Sequence, residues 1–199
     1  MRPKKIPPKE FELAKGFTVE KCLEHLDKKE REPLVNLIHT RFTERFLAPL
    51  PIKPAENKSG FVMMAIGCLM IESLQAFRKG DEETKGHHDE CFRDFFREVE
   101  ALNPLYPYAG DFYKNVRCGI LHQAETTGGW RIRRDSGALL FDPETAVINA
   151  NLFLKALTDY LDKYCDDLKK AEWGKELWKP VEKKLRHICA HCGTGYVTR

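Results

Sequence analysis

FVMMAIGCLMI, residues 61–71, is the longest apolar run in the chain, and Glu72-Ser73 follow it at once. The run is too short to span a bilayer, which needs roughly 20 apolar residues in helical form. A helix apolar on every side belongs inside a bundle. Ser59 before the run and Gly80 after it supply a cap and a stop, so the pattern predicts a buried central helix over about 60–79.

The segments around it share the helical period. Leu34, Leu37, Ile38, Phe42 and Phe46 recur at i, i+3 and i+4 behind Pro33, which suits a first helical turn. Thr18 is placed to cap a shorter helix bearing Val19, Cys22, Leu23 and Leu26. Phe92, Phe95, Phe96 and Val99 mark a helix over about 89–102, and Phe112, Val116 and Ile120 mark another over about 108–123. Val147, Leu152, Leu154, Leu157, Leu161 and Leu168 trace a long helix over about 143–172, starting at Pro143. A last helix covers about 175–189. Pro49, Pro51 and Pro54 enforce a loop, and DEETKG, residues 81–86, reads as a polar linker.

Only TTGGWRIRRDSGALLF, residues 126–141, breaks the period. Its two alternating pieces, WRIRR and ALLF, flank Asp135-Ser136-Gly137 and predict a small β-hairpin. Residues 1–16 are basic and Pro-rich, and read as a flexible arm. The expected architecture is therefore all-α: one helical domain over 17–199, with a small β-hairpin insertion.

Composition excludes several classes of function. The chain has 199 residues, 42% hydrophobic and 32% charged, with a formal charge of +3, which is too balanced for a polycation that coats nucleic acid. Seven cysteines, an odd number set mostly in apolar-periodic segments, read as reduced thiols rather than a secreted disulfide scaffold. MRPKKIPPKE lacks the apolar stretch of a signal peptide. The expectation is a cytoplasmic protein without a membrane partner.

The segment richest in chemistry is FYKNVRCGILHQAE, residues 112–125. Arg117 and His122 stand five residues apart near a helix end, so their side chains leave the axis about 140° apart. On the residues alone two readings stand. Arg117 makes an ion pair while His122 caps the helix, or both long side chains lean into one crevice. Glu72, closing the apolar run, either pairs with Arg117 or emerges into solvent, because an isolated buried carboxylate is very costly. Glu125 either orients His122 or is solvated.

RCGILH, residues 117–122, resembles the R-x-x-x-x-H motif of the HEPN superfamily, small helical domains that include many metal-independent ribonucleases of prokaryotic defence and toxin systems. The resemblance covers about residues 34–172, and its specific part is the motif helix. It implies that His122 is a general acid/base and Arg117 a stabiliser of phosphoryl charge, with no metal or other cofactor. It implies RNA as substrate, a homodimer whose motif helices face each other across a twofold axis, and an antitoxin or other partner protein. Family members usually carry a polar residue, often Asn, directly after the Arg. Cys118 stands there, a weaker hydrogen-bonding group, and a non-catalytic dimerising or ligand-binding module is the alternative.

Two further clusters have open readings. Trp130, Arg131 and Arg133 either offer an aromatic face and cations to RNA, or pack their apolar side on the bundle with solvated arginines. Lys183, Lys184 and Arg186 read as a solvated face. Cys189 and Cys192 form a CxxC with His187 and His191 interleaved, and the other cluster is His87, His88 and Cys91. A structural zinc site usually needs two such pairs brought together, so no metal is assigned.

Overall fold

The computed structural model describes residues 8–50, 58–82, 88–135, 137 and 139–192. The first seven residues of the basic arm, the loop around Pro51 and Pro54, most of the polar linker, and Ser136 of the predicted hairpin turn lie outside them. The fold is mostly α-helical with a few short strands. Its internal contacts divide it into two compact units, Met1–Arg45 with Ala76–Glu83 and Asp162–Arg199, and Phe46–Gln75 with Thr84–Leu161.

In the first unit, β1 (Glu12–Ala14) pairs antiparallel with β2 (Phe17–Thr18). Leu13 and Ala14 are buried, so this part of the arm is anchored. Thr18 caps α1 (Val19–Lys28), its hydroxyl accepting from the Lys21 N–H at 3.3 Å. α2 (Arg31–Phe42) buries Leu34, Leu37, Ile38 and Phe42. Phe42 meets Phe77 edge-on, with ring centroids 5.7 Å apart.

The second unit is built on α3 (Gly60–Lys79), which contributes its residues up to Gln75. By length and composition this helix is apolar enough to cross a bilayer, yet 61% of its most apolar window is buried within the protein. Its stripe Val62, Ala65, Leu69 leads to Glu72, with Val62 48% and Leu69 47% exposed. α4 (His88–Glu98) buries Phe92, Phe95 and Phe96. The predicted continuation to 102 instead becomes a 3-10 helix, Glu100–Tyr108, which accommodates Pro104 and Pro107. α5 (Ala109–Phe112) passes through a π-helical turn, Tyr113–Arg117, into α6 (Cys118–Gln123). Phe112 packs edge-on against Phe96 at 5.0 Å.

The predicted hairpin is not formed. β3 (Arg131–Arg133), β4 (Phe141–Asp142) and β5 (Val147–Asn149) make a mixed sheet in the order β3-β5-β4. Arg131 pairs with Val147 in parallel, and Phe141 pairs with Ile148 antiparallel. The central strand comes from residues that the helical reading assigned to the helix from Pro143. Asp142 accepts from the Glu144 N–H at 3.1 Å and the Thr145 hydroxyl at 2.6 Å, which bends the chain behind Pro143.

The last long helix of this unit, α7 (Ala150–Lys170), therefore begins at Ala150. Buried Asn149 caps it, accepting from the N–H groups of Asn151 at 3.0 Å and Leu152 at 3.3 Å. In the first unit, where α7 contributes its residues from Asp162, Trp178 of α8 (Trp178–Cys192) donates its indole N–H to Leu168 O at 3.0 Å.

Within the second unit, α3 and α7 approach closely at Gly67. A Cβ there would lie 2.7 Å from Phe153 Cε1, and Phe153 is fully buried. Gly67→Val is expected to lower stability by about 1–3 kcal/mol through overpacking. The check is urea denaturation, which should show an earlier midpoint at unchanged slope.

Candidate functional site

The site begins with the π-helical turn. The Cys118 N–H reaches back to Tyr113 O, one residue further than in an α-helix. Asn115 explains why the turn can widen. Its carbonyl accepts the Thr127 N–H at 2.9 Å, and its side-chain oxygen accepts the Thr127 hydroxyl at 2.9 Å. The loop after α6 is thus bound back onto the turn. Gly119 permits this close return, since a Cβ there would lie 2.6 Å from Glu125 O. Ala124 reverses the chain at φ 55°, leaving His122 in the last turn of α6.

Arg117, at the end of the π turn, pairs with Glu72 of α3. Its Nε donates to Glu72 Oε1 at 2.9 Å and its Nη2 to Oε2 at 3.4 Å. The two side chains are only 17% and 15% exposed, so the carboxylate at the end of the apolar stripe is paired rather than solvated. The guanidinium carbon lies 5.6 Å from the centroid of the Tyr113 ring, within cation–π range. Burial disfavours the guanidinium charge, but the hydrogen-bonded carboxylate more than offsets it, and Arg117 titrates above the ordinary arginine range. Burial, then a hydrogen bond with Cys118, pushes the Tyr113 phenol up, so it stays protonated at neutral pH. Burial also raises the Cys68 thiol, helped by the Glu72 charge.

Beside the pair lies a hollow of about 80 Å³ lined by Ala65, Cys68, Leu69, Arg117, Ile120 and Leu121. Leu121 is 59% exposed, so an apolar rim surrounds a guanidinium. His122 is exposed and makes no hydrogen bond or ion pair among the described residues. The structure brings together Glu72, Arg117, Tyr113 and Cys118, and places His122 on the same helix without bonding it to them.

The other candidates separate. Glu125 accepts from the Thr126 N–H at 2.9 Å. Trp130 is buried and stacks on Phe141 at 5.0 Å and 11°, so its face is not open to a base. Of the two readings left by the alternation, the packed one holds for Trp130. Arg131 is exposed, its Nη2 donating to Thr145 O at 3.2 Å, and Arg133 pairs with Asp135 at 3.2 Å. Arg134 is structural, donating to the Ser59 hydroxyl at 2.6 Å just before α3. Among the described residues no group of three His, Cys, Asp or Glu is disposed to hold a metal ion. His87 lies outside them.

Tyr113, Cys68 and Asn115 are the parts of this site that residue spacing did not single out. Tyr113 had a signal, standing four residues before Arg117. No family model, curated protein or solved structure matches the chain.

Removing the carboxylate leaves a half-buried guanidinium with its strongest partner gone. Glu72→Ala is expected to lower stability by about 1.5–3 kcal/mol. Adding Arg117→Ala should recover part of that loss, and a double-mutant cycle in urea measures the coupling.

Proposed function

We propose that the protein is a metal-independent endoribonuclease of HEPN type, acting as a homodimer in bacterial defence, stress response or a toxin system. The observation that carries this reading is Arg117, fixed at a helix end by Glu72, with His122 exposed five residues further along the same helix. Glu72 takes Nε and Nη2. A guanidinium carries five N–H donors, and those that Glu72 and Cys118 do not engage suit an oxygen of a phosphodiester.

In RNA the 2′-hydroxyl is a nucleophile adjacent to each phosphate. His122 supplies an imidazole, the side-chain type suited to remove that proton or to protonate the leaving 5′-oxygen. Arg117 stabilises the charge gathering on the phosphoryl oxygens. Glu72 and Tyr113 position Arg117. Exposed Arg131 and half-exposed Arg133 remain candidates for contact with the RNA backbone, while Trp130 does not serve as a stacking face.

Cleavage uses an acid and a base, and each chain offers one His122. A second copy supplies the other. The exposed Val62, Leu69 and Leu121 around the hollow support such a partner. The alternative, a non-catalytic dimerising or ligand-binding module, is favoured by Cys118 in the position after Arg117 and by the absence of a group orienting His122 among the described residues.

RNA cleavage by the purified protein should persist in excess chelator and spare DNA. His122→Ala should lose roughly 10²–10⁴-fold in rate. Arg117→Lys keeps the charge but loses the fork and should also be strongly impaired. Cys118→Asn should raise activity if the thiol limits it. Sedimentation should show a dimer at micromolar concentration. Equal rates for wild type and His122→Ala refute the assignment, and a wild type inert toward RNA favours the binding module.

A further inference from the structure

Within the second unit, the π turn lines up side chains that an ordinary helix would spread apart. Lys114 and His122 are eight residues apart, and in an unbroken α-helix they would leave the axis about 80° from each other. The widened turn Tyr113–Arg117 absorbs one residue. Seven helical steps remain, about 700°, which brings Lys114 within about 20° of His122, two turns away. Gly110, eleven steps from His122 by the same count, also falls within about 20° of that line. The guanidinium of Arg93, from α4, lies over Gly110, where a Cβ would be 3.9 Å from Arg93 Nη2.

Arg93, Lys114 and His122 are all exposed, and none of them makes a hydrogen bond or ion pair among the described residues. The cations beside them are committed elsewhere. Arg97 pairs with Asp94 at 3.1 Å, and Arg117 with Glu72 at 2.9 Å. Exposed Asp111 stands about 80° from His122 by the same count, so it flanks the line without interrupting it.

We propose that this stripe is a backbone track for single-stranded RNA, on which Arg93 and Lys114 each bind a phosphate and lead the strand to His122. The proposal rests on the ribonuclease reading and adds to it the residues that hold the substrate away from the bond that is cut. Charge complementarity selects the occupant. A line of uncommitted cations running over several turns matches a polymer that repeats its negative charge at every nucleotide, whereas a small anion would use only one of them. Arg93 brings a fork and Lys114 a point charge, and both reach phosphate oxygens without reading a base. The track therefore supplies affinity and orientation rather than sequence preference. The tie of Thr127 to Asn115, which supports the widened turn, also sets the line of the track.

The test uses the full-length His122→Ala protein, which holds RNA without cutting it, and a short fluorescein-labelled single-stranded RNA. Fluorescence anisotropy gives Kd over a series of salt concentrations. Arg93→Gln and Lys114→Gln should each weaken binding several-fold and each lower the slope of log K against log salt by about 0.7. Lys155→Gln, which removes an exposed cation of α7, should change neither. With His122 intact, Arg93→Gln and Lys114→Gln should raise KM for RNA more than they lower kcat, because phosphate contacts remote from the cut are made alike before and during cleavage. Binding unchanged in both variants, or weakened as much by Lys155→Gln, overturns the track and leaves the ribonuclease reading standing. A protein that binds no RNA at any salt concentration overturns both.

Discussion

A carboxylate at the end of an apolar run within a helix is tolerated inside a protein only when something holds its charge. Glu72 meets that condition through Arg117, and much of the second unit is arranged around the meeting. The π turn before Arg117 sets where the guanidinium leaves its helix. That turn persists because Thr127 engages the Asn115 carbonyl, and Thr127 can return because Gly119 has no side chain. The pair therefore links α3, α6 and the following loop. It also leaves the guanidinium partly committed, with its Nε edge occupied by Glu72. Pairing of this kind orients an arginine without neutralising all of its donors.

The helices were legible because burial imposes a period of about 3.6 residues, and Phe92, Phe95 and Phe96 of α4 keep it. The central helix was legible for a different reason, since a run without a polar face goes mostly inside, although Val62 and Leu69 stay half exposed. Strand pairing was not legible in the same way. WRIRR and ALLF each show extended character, but the common partner of the strands they feed, Val147–Asn149, is three residues long and sits behind Pro143, which imitates a helix start. The short strand and the true cap, Asn149, are fixed by contacts distant in sequence. Trp130 shows the same limit. Alternation says that one side of a strand is apolar, and only tertiary packing against Phe141 and Phe112 says which side is covered.

The chemistry was legible to a similar depth. The Arg117 and His122 spacing marked one helix end, and the cost of an unpaired buried charge made Arg117 one of two outcomes for Glu72, solvent being the other. The π turn was invisible, because nothing in YKNVR forbids an ordinary α-helix. Its cause lies ten residues later, in Thr127. The geometry there is set by the return of the chain on itself rather than by local propensity.

The central claim is that Arg117 and His122 cleave RNA through its own 2′-hydroxyl. Mass spectrometry of the ends released from a short oligoribonucleotide, cut by the purified protein in excess chelator, tests this most directly. Attack by the 2′-hydroxyl leaves a 2′,3′-cyclic phosphate on one fragment and a 5′-hydroxyl on the other, and this is the predicted result. Fragments ending in 3′-hydroxyl and 5′-phosphate would show that water or another nucleophile opened the phosphodiester, and would contradict the account.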